Sequence, residues 1–150
     1  MPHSGDQIRQ FGRQKAGRVY LDRPCVYGIA YNETGDILVA RTRDKLMLPG
    51  GGIRENETTE QALRREALEE TGWQIEILAP LCRANEYMFS KRKARATNKL
   101  AQFFMIKASA RLHDPLDEDH EPLWISRKEA IEKLHHKFFR WAVERTEPSS

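Results

Sequence analysis

Hydrophobic residues in this chain occur in short runs between turn-forming residues, a pattern typical of alternating strands and helices. Residues 25–31 (CVYGIAY) and 37–40 (ILVA) flank the turn cluster 32–36, and we expect them to form a hairpin. A third short strand is expected at 46–48, because Pro49 and three glycines follow it. Further strands are predicted near residues 74–78, 86–89, 101–108 and 123–125.

The periodicity becomes helical after Thr58. Thr58 and Gln61 have the spacing of a capping box, apolar residues at 62, 63 and 67 share one face, and Gly72 suits a left-handed C-terminal cap. A helix is therefore predicted over 58–71. Ser126 and Glu129 can cap a later helix, and the apolar positions between 130 and 142 continue it or form a second one. Strands interleaved with two or three helices predict a single α/β domain.

The composition is that of one highly ionic domain. The chain has 150 residues, of which 39% are hydrophobic and 31% charged, within the range of about 100–200 residues typical of a domain. We divide it into a flexible N-terminal arm (1–16), a folded domain (17–146) and a disordered tail (147–150). Neither a membrane-spanning run nor a secretory signal is recognisable, so a cytoplasmic protein is expected. Cys25 and Cys82 lack metal or redox spacing; two reduced, packed thiols are predicted, with a disulfide as the alternative.

The net charge of +3 conceals a strongly uneven distribution. Residues 83–111 contain eight basic residues and one acidic residue, whereas residues 114–121 contain five acidic residues and no Lys or Arg. Segregation of this kind indicates surfaces with different ligands more clearly than the total does.

Glu66, Glu69 and Glu70 crowd one edge of the helix predicted over 58–71. Residues three or four apart on a helix are neighbours, so these like charges repel, and Arg65 cannot neutralise all of them. A divalent cation such as Mg²⁺, which prefers carboxylate oxygens, would relieve the repulsion. The glycines at 50–52 allow another backbone segment to approach closely. On these residues alone, a solvated helix face and a flexible glycine turn remain the alternatives.

The same segment carries a longer pattern. Gly51 is followed after five residues by Glu57, and after seven more by residues 65–73 (REALEETGW). This arrangement resembles the signature of the Nudix hydrolases (MutT-like proteins), with every Gly, Glu and Arg of the motif at the correct spacing. Residues 48–52 (LPGGG) and 124–130 (WISRKEA) are also similar to family segments.

The likeness covers about residues 24–145, although only the box itself is highly specific. Ala67 and Trp73 depart mildly from the aliphatic positions of the motif, which concerns packing rather than ligation. The resemblance implies a Nudix α/β/α sandwich with a mixed central β-sheet.

The resemblance also implies hydrolysis of a phosphoanhydride (pyrophosphate) bond in a nucleoside diphosphate linked to another group, with Mg²⁺ or Mn²⁺ as cofactor. Arg65 would orient a glutamate by ion pairing, and Glu57 would either ligate through water or anchor the loop by pairing with Arg65. The implied metal ligands are Gly50, Glu57, Glu66, Glu69 and Glu70. The candidate catalytic residues are Arg65, Glu66, Glu69, Glu70, Glu118 and Glu121. The candidate substrate-binding residues are Arg41, Gly50, Gly51, Gly52, Lys91, Arg92, Lys93 and Arg95.

The general base varies within the family, between a box glutamate and an acid of a later loop. Residues 117–121 (DEDHE) precede the strand around Trp124, where such a loop is expected, and we favour Glu118 and Glu121. The alternative for this run is a solvated turn, and His120 is expected to be a surface residue rather than a base.

The basic run at 91–95 (KRKAR) indicates either a grip on a polyanion or a charged hairpin tip. With the glycine lead-in and residues 124–137, it resembles the branch that hydrolyses diphosphoinositol and diadenosine polyphosphates. The RNA-decapping branch usually has Gln where this chain has Gly50, and the ADP-ribose branch usually has Pro where this chain has Met88. Aromatic residues at 87, 89, 103 and 104 are expected mainly in the core, and His135 and His136 on a helix surface.

We therefore expect a hydrolase acting on a small polyphosphorylated substrate, with no membrane or nucleic-acid partner. Nucleoside triphosphates, ADP-ribose and nucleotide sugars are alternative substrates. A non-catalytic module that binds RNA or another polyanion is the alternative of a different class, although such modules usually lose box carboxylates. A structural subunit has no supporting feature, and a homodimer is the default oligomeric expectation.

Overall fold

The computed structural model describes residues 8–116 and 118–148, which form eight strands and three helices. The strands are β1 (Ile8–Phe11), β2 (Tyr20–Ala30), β3 (Asp36–Thr42), β4 (Lys45–Met47), β5 (Gly50–Gly52), β6 (Trp73–Ser90), β7 (Arg95–Arg111) and β8 (His120–Ser126). The helices are α1 (Thr59–Thr71), α2 (Arg127–Lys133) and α3 (Lys137–Glu144).

The strands form a mixed sheet in the order β1-β6-β7-β2-β5 and a second sheet in the order β4-β3-β8. The pairs β1–β6 and β2–β7 are parallel, and the other pairs are antiparallel. Because successive side chains of a strand point to opposite faces, β2 and β3 contribute to two apolar clusters. Val26 and Leu38 pack with α1, whereas Tyr27 and Ile37 pack with α2 and α3. The predicted α/β/α sandwich with a mixed sheet is confirmed.

The capping signals place α1 and α2 correctly. Thr58 and Gln61 form the predicted capping box, and Gly72 closes α1 with a φ of 77°. Ser126 accepts a hydrogen bond from the backbone N–H of Glu129 at the start of α2. The apolar residues that follow form two helices, because the chain leaves the helical conformation at Leu134.

Two expectations from the sequence are corrected by the topology. Residues 25–31 and 37–40 do flank a turn, but they are not a hairpin: β2 and β3 belong to different sheets, and their pairing within the described residues is limited to the isolated bridge between Tyr31 and Ile37. Both faces of each strand are apolar, so a sequence pattern does not reveal which edge is paired.

The second correction concerns Ile8–Phe11, which was expected in a flexible arm and instead forms strand β1 against β6. Phe11 contributes to it by packing edge-on against Trp141 of α3, with ring centroids 5.8 Å apart. Residues 1–7 of the predicted arm and 149–150 of the predicted tail lie outside the described residues.

Cys25 and Cys82 are buried and unbonded to each other, as predicted. Burial raises the pKa of Cys25 to about 11 and that of Cys82 to about 12, so both thiols stay protonated at neutral pH. Within the described part of the chain, no helix has the length and apolarity needed to cross a membrane.

Candidate active site

The short strand β5 brings the glycine backbone against the acidic edge of α1. The N–H of Gly50 donates to Oε1 of Glu70 at 2.9 Å. A Cβ at Gly51 would lie 2.8 Å from Cδ and 2.9 Å from Oε2 of Glu66. The absence of a side chain at Gly51 therefore sets how closely the Glu66 carboxylate approaches the backbone.

Gly50 is required for a different reason. Its φ of 144° lies in the region that favours glycine, and an added Cβ would meet the carbonyl oxygen of Val26 and lie 2.6 Å from Cδ1 of Tyr27. Gly50 pairs with Tyr27 in the sheet. A larger residue would push β5 away from β2 and from α1 together.

Arg65 is the cation that holds the acidic edge together. Its Nε and Nη2 donate to the two carboxylate oxygens of Glu57, at 2.5 and 2.9 Å. Its Nη1 donates to Glu66 at 2.8 Å and to Glu69 at 3.4 Å, and Nη2 also reaches the carbonyl of Gly52 at 3.2 Å. One guanidinium thus joins the helix, the loop before it and β5.

The pairing with Arg65 defines the geometry of Glu57. The hydrogen bonds from Arg65, together with one from the backbone N–H of Arg54, lower the pKa of Glu57 to about 2. Both oxygens of Glu57 are already engaged, which favours the loop-anchoring role over ligation through water. The pKa of Arg65 is raised well above its ordinary value by the same hydrogen bonds.

Glu66 has a different environment. Burial raises the pKa of its carboxyl group, and the hydrogen bond from Arg65 opposes the rise. Glu66 and Glu70 have side chains that are 19% and 15% exposed, and that of Glu69 is 37% exposed. Arg65 pairs with Glu66 and Glu69, whereas Glu70 accepts a hydrogen bond from the Gly50 N–H and faces His120, so this half-buried edge has a local excess of negative charge.

The donors at this edge suit a hard divalent cation. Carboxylate oxygens are the ligands that Mg²⁺ prefers, and the space left by Gly51 keeps Glu66 beside the backbone. In residues 8–116 and 118–148, however, no three acidic, histidine or cysteine side chains already surround one point. Glu66 faces Arg65 and Glu70 faces the Gly50 N–H, so ligation requires carboxylate rotations at the ends of these side chains.

The loop after β7 brings Glu118 to the same edge. The backbone N–H of Leu116 donates to the carbonyl of Glu69 at 2.9 Å, and that of Leu112 donates to the carbonyl of Gly72 at 2.9 Å. Glu69 and Glu118 line one open cavity of about 540 Å³ with Leu116 and Asp119. Asp117, which belongs to the same acidic run, lies outside the described residues.

Side chains alternate between the two faces of β8, so His120 and Glu121 of the acidic run point in opposite directions. Nε2 of His120 lies 3.7 Å from Oε2 of Glu70, and the imidazole is only 15% exposed, so the expectation of a surface histidine is wrong. Glu121 instead forms an exposed ion pair at 3.5 Å with Arg41, its partner in the β3–β8 register. The structure thus joins Arg41 to Glu121 and does not bring either into the carboxylate cluster.

A basic groove of about 770 Å³ lies on the face of the large sheet that packs against α3, opposite the face that packs against α1. Two residues of the predicted basic run, Lys93 and Arg95, line it, whereas Lys91 and Arg92 do not. The strands β2, β4 and β7 contribute Arg23, Lys45 and Lys99, and α3 contributes Lys137 and Arg140. We call these seven cations and the surface they line the basic groove. Five of the seven were not singled out from the sequence; four of these come from other elements, and Lys99 lies four residues beyond Arg95 on β7.

The aromatic and histidine expectations have mixed outcomes. Phe103 and Phe104 are buried in the core as expected, whereas Phe89 is 40% exposed. His136 is half-buried rather than on a helix surface, with its ring 4.9 Å from that of Phe139. Burial and the nearby charge of Lys99 lower the pKa of His136 to about 3, so this histidine is neutral at pH 7.

Curated relatives match part of the chain. An RNA pyrophosphohydrolase of Marinomonas sp. (strain MWYL1) is 39% identical over 82 residues, which cover 51% of this chain and 51% of the relative. An RNA pyrophosphohydrolase of Teredinibacter turnerae is 33% identical over 99 residues, covering 59% of this chain and 58% of the relative. The chain therefore spans about half the length of these relatives.

Solved structures match more of the chain at lower identity. A MutT protein from Methanosarcina mazei Go1 has a TM-score of 0.65 at 24% identity, over 84% of this chain and 93% of that protein. A Nudix hydrolase from Nitrosomonas europaea has a TM-score of 0.66 at 18% identity, over 83% and 87%. These structures establish the fold. The sequence matches the family model of the NUDIX domain over residues 21–143, and the chain belongs to the Nudix family.

Proposed function

We propose that this protein is a divalent-metal-dependent hydrolase of phosphoanhydride bonds. The observation that carries the proposal is the acidic edge of α1, where Glu66 and Glu69 contact the Arg65 guanidinium and Glu70 accepts a hydrogen bond from the Gly50 N–H of β5. Mg²⁺ or Mn²⁺ fits the donors of this edge, which are Glu66, Glu69 and Glu70, with backbone from Gly50 as a further oxygen source. When bound, such an ion supplies charge neutralisation at a phosphoanhydride and a more acidic water.

The remaining residues position these groups. Arg65 fixes Glu57 and Glu66 relative to each other, so the loop at 53–58 and the helix form one rigid unit. The N–H of Gly50 holds Glu70, and His120 faces its other oxygen. Pre-set carboxylates stabilise charge in a transition state without reorganising during the reaction.

Glu118 is our candidate for the general base. It lines the same cavity as Glu69 and is exposed, and its loop is hydrogen-bonded to the end of α1. A carboxylate in that place can accept a proton from an attacking water. Glu121 is the weaker candidate, because its carboxylate pairs with Arg41 on the surface.

Two substrate classes have support. The uneven charge of the chain favours a small polyphosphorylated molecule, such as a dinucleoside polyphosphate or a diphosphoinositol polyphosphate. The names of the curated relatives favour the 5′ phosphoanhydride of RNA as the second candidate. Gly50 argues against that candidate only by the resemblance noted above.

A hydrolysis screen with Mg²⁺ and with Mn²⁺ tests the proposal. It should include nucleoside triphosphates, dinucleoside polyphosphates, nucleotide sugars, ADP-ribose, diphosphoinositol polyphosphates and 5′-triphosphorylated RNA. We expect metal-dependent release of phosphate or a mononucleotide from at least one of them, abolished by EDTA. Failure to cleave any of them under either metal would contradict the proposal.

A further inference from the structure

The basic groove has far more positive charge than its own protein groups balance. Among the described residues, seven Lys and Arg side chains line it, and Glu86 is the one acidic residue of the lining. Throughout the described chain, no carboxylate lies within ion-pair distance of any of the seven. Like charges collected around one concave surface repel one another and attract anions.

The one carboxylate in the groove is committed elsewhere. Oε1 of Glu86 accepts a hydrogen bond from the backbone N–H of Phe138 at 3.2 Å, in the first turn of α3. Glu86 therefore satisfies a helix terminus. The nearby charges of Lys137, Arg140 and Lys99 act on its carboxyl group, but none of them forms an ion pair with it within the described residues. His135 and His136 also line the groove, and both have lowered pKa values, first because of burial, with nearby cations contributing.

Part of the groove is held in place before any ligand arrives. Nη1 of Arg140 donates to the carbonyls of Leu134 at 2.6 Å and His135 at 3.3 Å, which leaves its other nitrogens available. Lys99 is half-buried on the central strand β7, and it lies opposite Glu86 in the β6–β7 register. Fixed donors lose less entropy on binding than freely rotating ones.

The arrangement suits a compact, densely phosphorylated group better than an RNA strand. RNA carries one phosphate per nucleotide, and proteins that bind single strands offer aromatic faces to the bases. The aromatic residues of this groove are already in contact: Arg18 lies 3.9 Å above the Phe89 ring, and Tyr87 packs edge-on against Tyr20. Seven cations within about 770 Å³ exceed what one or two nucleotides would neutralise.

The groove is close enough to the acidic edge to serve the same substrate. Met47 lines the groove, and Gly50, which holds Glu70, follows three residues later. Three extended residues span at most about 10–11 Å. On the other side, Arg23 precedes Pro24, whose carbonyl accepts a hydrogen bond from Ile53 just beyond β5. The strand β5 is the edge strand of the large sheet next to β2, so the groove and the acidic edge lie on the two faces of the sheet near this edge.

We infer that the basic groove binds a compact group bearing several phosphates, and that this group belongs to the substrate whose anhydride is presented to α1. The second part rests on the function proposed above; the first does not. Two sources share the chemistry, a linear polyphosphate tail and a ring carrying several phosphates.

Calorimetric titration of the whole protein in EDTA tests the groove without metal or turnover. Inorganic tripolyphosphate represents the linear source and inositol hexakisphosphate the ring. We expect at least one to bind in about 0.1 M salt, with affinity falling steeply as salt increases. Lys99→Met should weaken binding by about tenfold, the loss expected for one charge-assisted contact. Lys45→Met, at an exposed position, should also weaken binding and provides a second variant if Lys99→Met folds poorly.

Lys107→Met is the matched control. Lys107 lies on the same strand as Lys99 but lines a different cavity, with Trp73 and Trp124, so its replacement should leave the affinity within about twofold. Equal losses of affinity in Lys99→Met and Lys107→Met would contradict binding in the groove and would indicate that the probes respond only to the net charge of the protein. Tighter binding of a 5′-monophosphorylated RNA oligonucleotide than of both phosphate probes would also overturn it.

Glu69→Gln separates the two proposals. This variant should bind the phosphate probes like the wild type while losing hydrolysis. Binding without any hydrolysis in the wild-type screen would keep the groove and contradict the proposed function. Hydrolysis of a simple anhydride without binding of either probe would support the proposed function and contradict the groove as a phosphate-binding site.

Discussion

The acidic edge of α1 and the basic groove lie on opposite faces of the large sheet, near its edge strand β5. The acidic edge has an excess of negative charge, and the groove has an excess of positive charge. At the acidic edge, Arg65 contacts three carboxylates and the backbone N–H of Gly50 contacts a fourth, so protein donors hold the acidic groups in place. In the groove, none of the seven cations has a carboxylate partner among the described residues. The acidic edge, whose carboxylates are held by protein donors, resembles a catalytic centre with fixed geometry. The basic groove, whose cations have no carboxylate partners in the described part of the chain, resembles a surface that binds an anionic ligand.

The largest expected effect comes from replacing a carboxylate of the acidic edge. Glu69→Gln and Glu70→Gln should each lower turnover by about 100-fold or more, because a neutral amide is a poor ligand for a hard cation. Circular dichroism and thermal unfolding should show an intact fold. The matched control is Glu60→Gln, an exposed residue in the first turn of the same helix, which should retain activity. Full activity in both site variants would remove the metal-site assignment.

The next effect tests how far the acidic edge extends into the loop after β7. If Glu118 accepts the proton, Glu118→Gln should lower kcat by about 100-fold, within the range typical of a general base. Its pH–rate profile should also lose the acidic limb. Glu121→Gln removes a carboxylate from the same run but affects only an exposed pair with Arg41, so turnover should change little. The reverse ranking would transfer the role to Glu121.

A smaller effect tests whether the edge strand β5 positions the Glu66 carboxylate. Gly51→Ala places a methyl group against the Glu66 carboxylate, which can move because it ends a flexible side chain. We expect about a tenfold loss of turnover, since misplaced reactive groups reduce rate strongly, with little change in the free energy of unfolding. Gly52→Ala is the control, because a Cβ there meets no atom within 4 Å. Equal activity in the two variants would show that Glu66 is not positioned by β5.

The smallest effect concerns stability on the groove side. His136 is neutral in the folded protein down to about pH 3, whereas an unfolded histidine takes up a proton below about pH 6.5. The unfolded state therefore binds more protons in this window, and the free energy of unfolding should fall as the pH falls from about 6.5 to 3. Urea denaturation across this range should show a shallower decline for His136→Gln. Identical slopes would mean that other groups control the decline.

Local patterns explain why the acidic edge was predictable from the sequence. The capping residues Thr58, Gln61 and Gly72 fix one helix, and a helix of known phase determines which glutamates share an edge. The charge density there comes from nearby residues, so no long-range information was needed. The pairing of Glu57 with Arg65 was one of two stated alternatives for the same reason.

The groove was hidden because its cations come from β2, β4, β7 and α3, which only the topology brings together. A partial signal was present in Arg95, Thr97 and Lys99, which alternate and therefore share one face of a strand. His120 was misjudged because the strand phase after the acidic loop decides whether it or Glu121 faces Glu70. The separation of β2 and β3 into two sheets is equally a matter of which edges pair, which side-chain alternation alone does not specify.

Gly72 links the end of the helix to the loop that carries Glu118. A Cβ at this position would meet the carbonyl of His113, while the Gly72 carbonyl accepts from Leu112. The glycine that closes the motif is therefore constrained by a neighbouring segment as well as by the left-handed cap. Among homologous chains, a substitution there would tend to survive only with a compensating change in that loop, so the two positions should vary together during evolution.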